Sequence, residues 1–101
     1  MSLPSSTEEE IGNATVRKIF TLTDGTMILG SRVEKGILKK DHKCDIVRED
    51  EIIAESKIKT LRINKNTVNE VQKGYDCGIQ LMAKDIEIKE GDEIYCYKVV
   101  R

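Results

Sequence analysis

The stretch LGSRVEKGILKKDHKCDIV at residues 29–47 reads as strand, bend, strand, charged turn and strand. Gly30 leaves room for a neighbouring backbone, and Gly36 supplies a bulge or sharp bend. Bends of this kind let a small sheet curl into a barrel. Asp41-His42 marks the turn, after which Cys44 and Ile46 share one face of an alternating segment. Upstream, ATVRKIF at 14–20 is rich in strand formers, and TDGT at 23–26 contains Asp24-Gly25, which supplies the positive φ that tight hairpins need. A strand at 27–33 follows. Downstream, the charged tip REDE at 48–51 separates 43–47 from two short strands at 52–53 and 57–63. Strands at 77–82, 85–88 and 93–100 complete the set. Residues 67–73 are ambiguous, because Val68 and Val71 stand at helical spacing in a segment too short to decide. Turn signals recur about every 8–12 residues among β-branched ones, which predicts an all-β domain. The expected form is a small closed antiparallel β-barrel of about six to eight strands.

Composition narrows the function classes. Lys+Arg number 17 against 18 Asp+Glu, a formal net charge of -1, where a protein that coats DNA would be strongly basic. The chain is 35% charged, but its balance near zero favours a globular domain over disorder. No apolar run approaches the ~20 residues of a membrane-spanning helix, and no signal-peptide pattern opens the chain. MSLPSSTEEE at 1–10 holds the only Pro, three Ser and three consecutive Glu. Residues 1–11 are therefore expected to be a disordered leader or linker that joins the domain, 12–101, to something upstream. Cys44, Cys77 and Cys96 are odd in number and form no CxxC pair, and His42 is the only histidine. That pattern predicts reduced thiols and no metal site.

Two places carry residues suited to binding. Lys57, Lys59, Arg62 and Lys65 form a basic run with no acid between 57 and 69, whereas 76–93 is acidic. The run suits phosphate, and it equally suits a solvated strand edge protected by lysines. In YDCG at 75–78, Tyr75 could stack or hydrogen-bond, Asp76 could accept from a ribose or amide, and Cys77 could line an apolar slot. The same string could simply be a Gly74 turn entering a core strand. His42 lies in a turn with no partners for nucleophilic catalysis. No Gly-x-x-x-x-Gly-Lys-Ser/Thr string exists for GTP. The chain is therefore expected not to be an enzyme.

The 29–47 string resembles the β-barrel second domain of translational GTPases, in which a Gly-x-Val-x-x-Gly segment precedes a Gly-Asp turn. Asp41-His42 stands where that turn often has Gly-Asp, and IKEGDEIYCY at 88–97 keeps Gly91-Asp92. Further segments fall in matching order: VRKIF at 16–20, SRVEKG at 31–36, VNEVQKGYDCGI at 68–79 and IKEGDEI at 88–94. Together, over about residues 12–99, they resemble the C-terminal domain of bacterial-type translation initiation factor 2, with GYDCG at 74–78 the most specific part. The resemblance implies a module without catalysis of its own that binds the formylmethionyl 3′ acceptor end of initiator tRNA. It implies site residues Ser31, Arg62, Ile63, Asn64, Lys65, Tyr75, Asp76, Cys77 and Gly78. Asp76 stands for the usual Glu, Ser31 for a common Cys, Ile63 for a common basic residue and Asn64 for a common aromatic.

A site for that ligand needs an apolar slot for the thioether side chain, cations for phosphates and glycine where the backbone comes close. The formyl amide is neutral, whereas a free aminoacyl amine is largely protonated, so an apolar pocket discriminates by desolvation. The expected partners are formylmethionyl initiator tRNA and, through a larger parent factor with an upstream GTPase domain, the ribosome. No cofactor, DNA or membrane is expected. The chain is expected to be a monomer in the cytoplasm, or in an organelle matrix if the factor is organellar. The alternatives are a barrel domain of another translational GTPase contacting ribosomal RNA, and a protein-binding barrel that uses a strand edge.

Overall fold

The computed structural model describes residues 7–82 and 86–100. Its strands are β1 (Thr7–Thr21), β2 (Met27–Lys39), β3 (Lys43–Arg48), β4 (Glu51–Ile63), β5 (Asn66–Val68), β6 (Glu70–Gln72), β7 (Asp76–Leu81) and β8 (Glu93–Val100). Their order is β1-β8-β3-β4-β7-β2, and β2 pairs back onto β1. Six antiparallel strands therefore close a barrel, as the sequence predicts. β5 lies against β4, and β6 against the far end of β2.

Alternation builds the interior. Along β2, Leu29, Ser31 and Val33 turn inward, while Arg32 and Glu34 face out. Along β7, Cys77, Ile79 and Leu81 do the same. With Val16, Leu38, Cys44, Ile46, Ile58, Leu61, Ile94 and Cys96 they form one buried cluster. Each buried Leu or Ile contributes about 1.5–3 kcal/mol.

Gly36 bends β2 without ending it. Its φ is 63°, and it faces Gly12 across the β1–β2 ladder. A side chain on Gly12 would strike the Ile37 carbonyl, and one on Gly36 would strike the Ile11 carbonyl. Only two glycines allow β1 and β2 to cross this closely.

Several expectations change. Residues 7–11, expected in the leader, belong to β1, where Thr7 pairs with Val100 and Gly12 with Cys96. Strand β8 needs a partner on the side away from β3, and backbone hydrogen bonding accepts a Glu-rich strand as readily as an apolar one. Residues 1–6 lie outside the described residues. The two strands expected at 52–53 and 57–63 are one continuous β4, and the ambiguous 67–73 stretch contains β5 and β6. Residues 86–88 are not a strand, and Asp85 lies outside the described residues. The chain there must pass β4 and β3 to reach β8. It does so irregularly, burying Ile88 against the core.

The approach to β8 is stapled. Arg48 grips the nearly buried Asp92 with two hydrogen bonds, Nε to Oδ1 at 2.9 Å and Nη2 to Oδ2 at 2.8 Å. The Lys89 amide donates to the same carboxylate at 2.9 Å. The hydrogen bond from Arg48 is the main influence holding the Asp92 carboxyl below its ordinary range. The turn then locks onto β1: Val16 N–H donates to the Asp92 carbonyl and Gly91 N–H donates to the Val16 carbonyl, both at 2.8 Å.

Candidate functional site

The four neighbouring strands β1, β2, β7 and β4 carry a trough on the outside of the barrel, a cavity of about 600 Å³. The register explains its shape. Lys18 is paired with Gly30, Gly30 with Gly78, and Gly78 with Arg62, so one row across four strands reads Lys-Gly-Gly-Arg. Outward positions normally raise side chains, but here the two middle ones raise none, and the floor is bare backbone. A Cβ on Gly78 would stand 3.0 Å from Ile28 Cγ2, and one on Gly30 would stand 3.3 Å from Phe20 Cε2.

The adjacent outward row begins Phe20-Ile28 and forms an apolar wall. Leu22 extends it from the hairpin between β1 and β2. There its amide donates to the Thr26 carbonyl at 2.8 Å, Gly25 adopts φ 91°, and the Asp24 carboxylate accepts from the Thr26 amide. The Asp24-Gly25 turn signal in the sequence therefore positions Leu22 beside the apolar wall. Phe20 and Leu22 are 52% and 45% exposed, which is costly for large apolar side chains unless something covers them. On the opposite side stand Arg62 and Asn64, with Asn64 in the left-handed region at φ 58°. Asp76, cross-strand partner of Arg32, lines the trough beside them.

The structure gathers six of the nine expected site residues around this cavity: Ser31, Arg62, Asn64, Asp76, Cys77 and Gly78. Ser31 and Cys77 face each other across β2 and β7 as nearly buried parts of the floor, 2% and 6% exposed. The Ser31 hydroxyl donates to the Leu29 carbonyl at 3.2 Å. Burial, helped by the Asp76 charge, pushes the Cys77 thiol up to about 12, so it stays neutral as it packs into the core beneath the trough floor. The other three lie elsewhere. Ile63 turns toward the core by the alternation of β4, Lys65 sits exposed in the turn after β4, and Tyr75 is exposed in the loop before β7 without lining the trough. The basic run also divides. Only Arg62 reaches the trough, while Lys59 lines a separate slot of about 30 Å³ with Met27 and Met82.

Sequence reasoning missed Arg17, Lys18, Phe20, Leu22 and Ile28 as lining residues. The single Phe of the chain, beside two cations in VRKIF, was the available signal. Among the described residues, no group of three or more His, Cys, Asp or Glu side chains could hold a metal ion. A trough of this kind can seat an apolar group against bare backbone between cations, and it presents no activated nucleophile.

No family model matches the chain. Curated relatives do. The chain is 39% identical over 98 residues to "Translation initiation factor IF-2" of Rickettsia rickettsii (strain Sheila Smith), covering 97% of this chain and 12% of that protein. Identity is 38% to the same-named protein of Rickettsia prowazekii (strain Madrid E) and 37% to that of Rickettsia bellii (strain OSU 85-389), over the same shares. The chain thus spans about an eighth of the length of these relatives. Across nearly all of its length, this chain is homologous to a domain of Translation initiation factor IF-2.

Proposed function

We propose that the trough receives the formylmethionyl 3′ acceptor end of initiator tRNA, and that the chain serves as a non-catalytic module of a larger initiation factor. One observation carries this reading: Gly30 faces Gly78 on the trough floor, flanked by an apolar wall and cations. The methionine side chain lies against Phe20, Leu22 and Ile28. The formamide and ester approach the bare backbone at Gly30 and Gly78, with the Cys77 thiol beneath. Asp76, neighboured by Arg32 and Arg62, accepts a hydrogen bond from the formamide N–H or a ribose hydroxyl. Arg62 closes the trough on the β4 side and attracts the polyanionic RNA end as it approaches. In the parent factor, GTP hydrolysis belongs to an upstream domain, and the ribosome is met through the whole protein in the cytoplasm or an organelle matrix.

Selectivity follows from desolvation. A free amine enters as an ammonium ion, which loses water in a trough where Arg17, Lys18 and Arg62 outnumber the carboxylate of Asp76, whereas the formamide is neutral and meets neither penalty. The 101-residue chain is expected to bind formylmethionyl-tRNA at least tenfold more tightly than methionyl-tRNA. It is also expected to slow hydrolysis of the aminoacyl ester, measured as release of labelled formylmethionine over time. Equal affinity for the two tRNAs, together with unprotected ester, overturns the reading.

A further inference from the structure

In a regular strand, residues 17 and 18 would point to opposite faces. In β1 they do not. Val16 is paired with Ser31 and Lys18 with Gly30, so β1 carries one extra residue at Arg17, a β-bulge. Both side chains are exposed, and both line the trough. The bulge is fixed from behind. Both backbone groups of Val16 are taken by the Gly91-Asp92 turn, and Asp92 is itself held by Arg48 and the Lys89 amide. A rigid staple therefore turns two consecutive cations onto one wall.

Arg62 stands at the far end of the same row, three strand steps along the sheet from Lys18. Among the described residues that line the trough, Asp76 is the one carboxylate, against Arg17, Lys18 and Arg62.

We propose that Arg17 and Lys18 form a phosphate clamp, gripping the backbone phosphates that lead into the terminal nucleotide of a single-stranded RNA end. This rests on the acceptor-end reading and adds the direction of entry: the strand arrives over β1, and the acylated terminus lies on the glycine floor toward β7. The cations of the bulge serve attachment of the polynucleotide, while Gly30, Gly78 and the apolar wall serve recognition of the acyl group.

The test uses the 101-residue chain with two probes, formylmethionyl-adenosine, which carries no phosphate, and formylmethionyl-tRNA. The double variant Arg17→Ala/Lys18→Ala keeps its affinity for formylmethionyl-adenosine within about twofold. Its affinity for formylmethionyl-tRNA falls roughly tenfold or more at low salt, and the slope of log affinity against log salt decreases by about 1.4, at ~0.7 per single-strand phosphate contact. The swap Arg17→Lys/Lys18→Arg keeps the wild-type slope. An unchanged slope in the double variant, or equal weakening toward both probes, overturns the clamp and leaves the acceptor-end reading standing. Failure of the wild-type chain to bind either probe overturns that reading, and the clamp with it.

Discussion

Replacing Gly78 with valine should abolish most ligand binding while sparing the barrel. Gly78 has extended backbone and no left-handed φ, so a side chain is not strained there. Its new Cβ would meet only Ile28 Cγ2, at 3.0 Å. Cγ2 is the branch methyl on the Ile28 Cβ, so it yields through a small χ1 rotation of this half-buried side chain rather than at a free end. Valine also favours strands, and strand preferences span about 1 kcal/mol, so the melting temperature should change little. The ligand faces a different situation. Valine stands on the floor of the trough and lifts whatever rests there off the backbone. If the methionine side chain loses its burial, about 1.5–3 kcal/mol disappears. At 1.4 kcal/mol per factor of ten, affinity for formylmethionyl-adenosine falls about 10- to 150-fold. Gly78→Ala should fall between. The assay is a titration followed by calorimetry, with circular dichroism confirming the barrel. An affinity within twofold of wild type in a folded Gly78→Val protein would refute the assignment of the floor.

Gly12→Ala should do the reverse. Its methyl meets the backbone of Ile37, which no rotamer change can relieve. Overpacking costs typically about 1–3 kcal/mol, and thermal unfolding should show a melting temperature lower by about 5 °C or more; an unchanged melt would mean the crossing of β1 and β2 is looser than described. Asp92→Asn probes the staple through pH. The folded carboxyl lies below its ordinary value of 3.8, so its stabilisation is present above that value and lost as pH falls through the lower folded value. Wild type should therefore lose stability on acidification below about pH 4 more steeply than Asp92→Asn, which starts less stable at pH 7. Parallel acid-unfolding curves for the two proteins would contradict this linkage.

The fold was legible where side-chain pattern and turn chemistry agree. Leu29, Ser31 and Val33 alternate with outward residues, Asp24-Gly25 marks a tight turn, and Gly36 marks a bend. Residues 7–11 read as a leader because four of the five are polar, whereas their pairing with β8 runs through the backbone. In the site, Gly30 was legible as a place for close approach and Gly78 entered through the resemblance, but that the two stand opposite each other follows only from the register. Ile63 and Tyr75 are neighbours of site residues in sequence but not in space: one falls on the inward phase of β4, and the other precedes the strand. Arg17 and Lys18 were hidden for a different reason. A bulge has no residue signature of its own here, and it arises because the distant Gly91-Asp92 turn takes both backbone groups of Val16. Phe20, read only as a strand residue, becomes the aromatic wall by the same register.

The central claim is that the glycine-floored trough receives the formylmethionyl end. Its most direct test is amide chemical-shift mapping of the isotope-labelled chain titrated with formylmethionyl-adenosine. Saturable shifts are expected at Phe20, Gly30, Cys77 and Gly78, with Ile52 and Ile53 at the far hairpin unmoved. Absence of shifts at Cys77 and Gly78 under saturating ligand, or shifts confined to other strands, would contradict it.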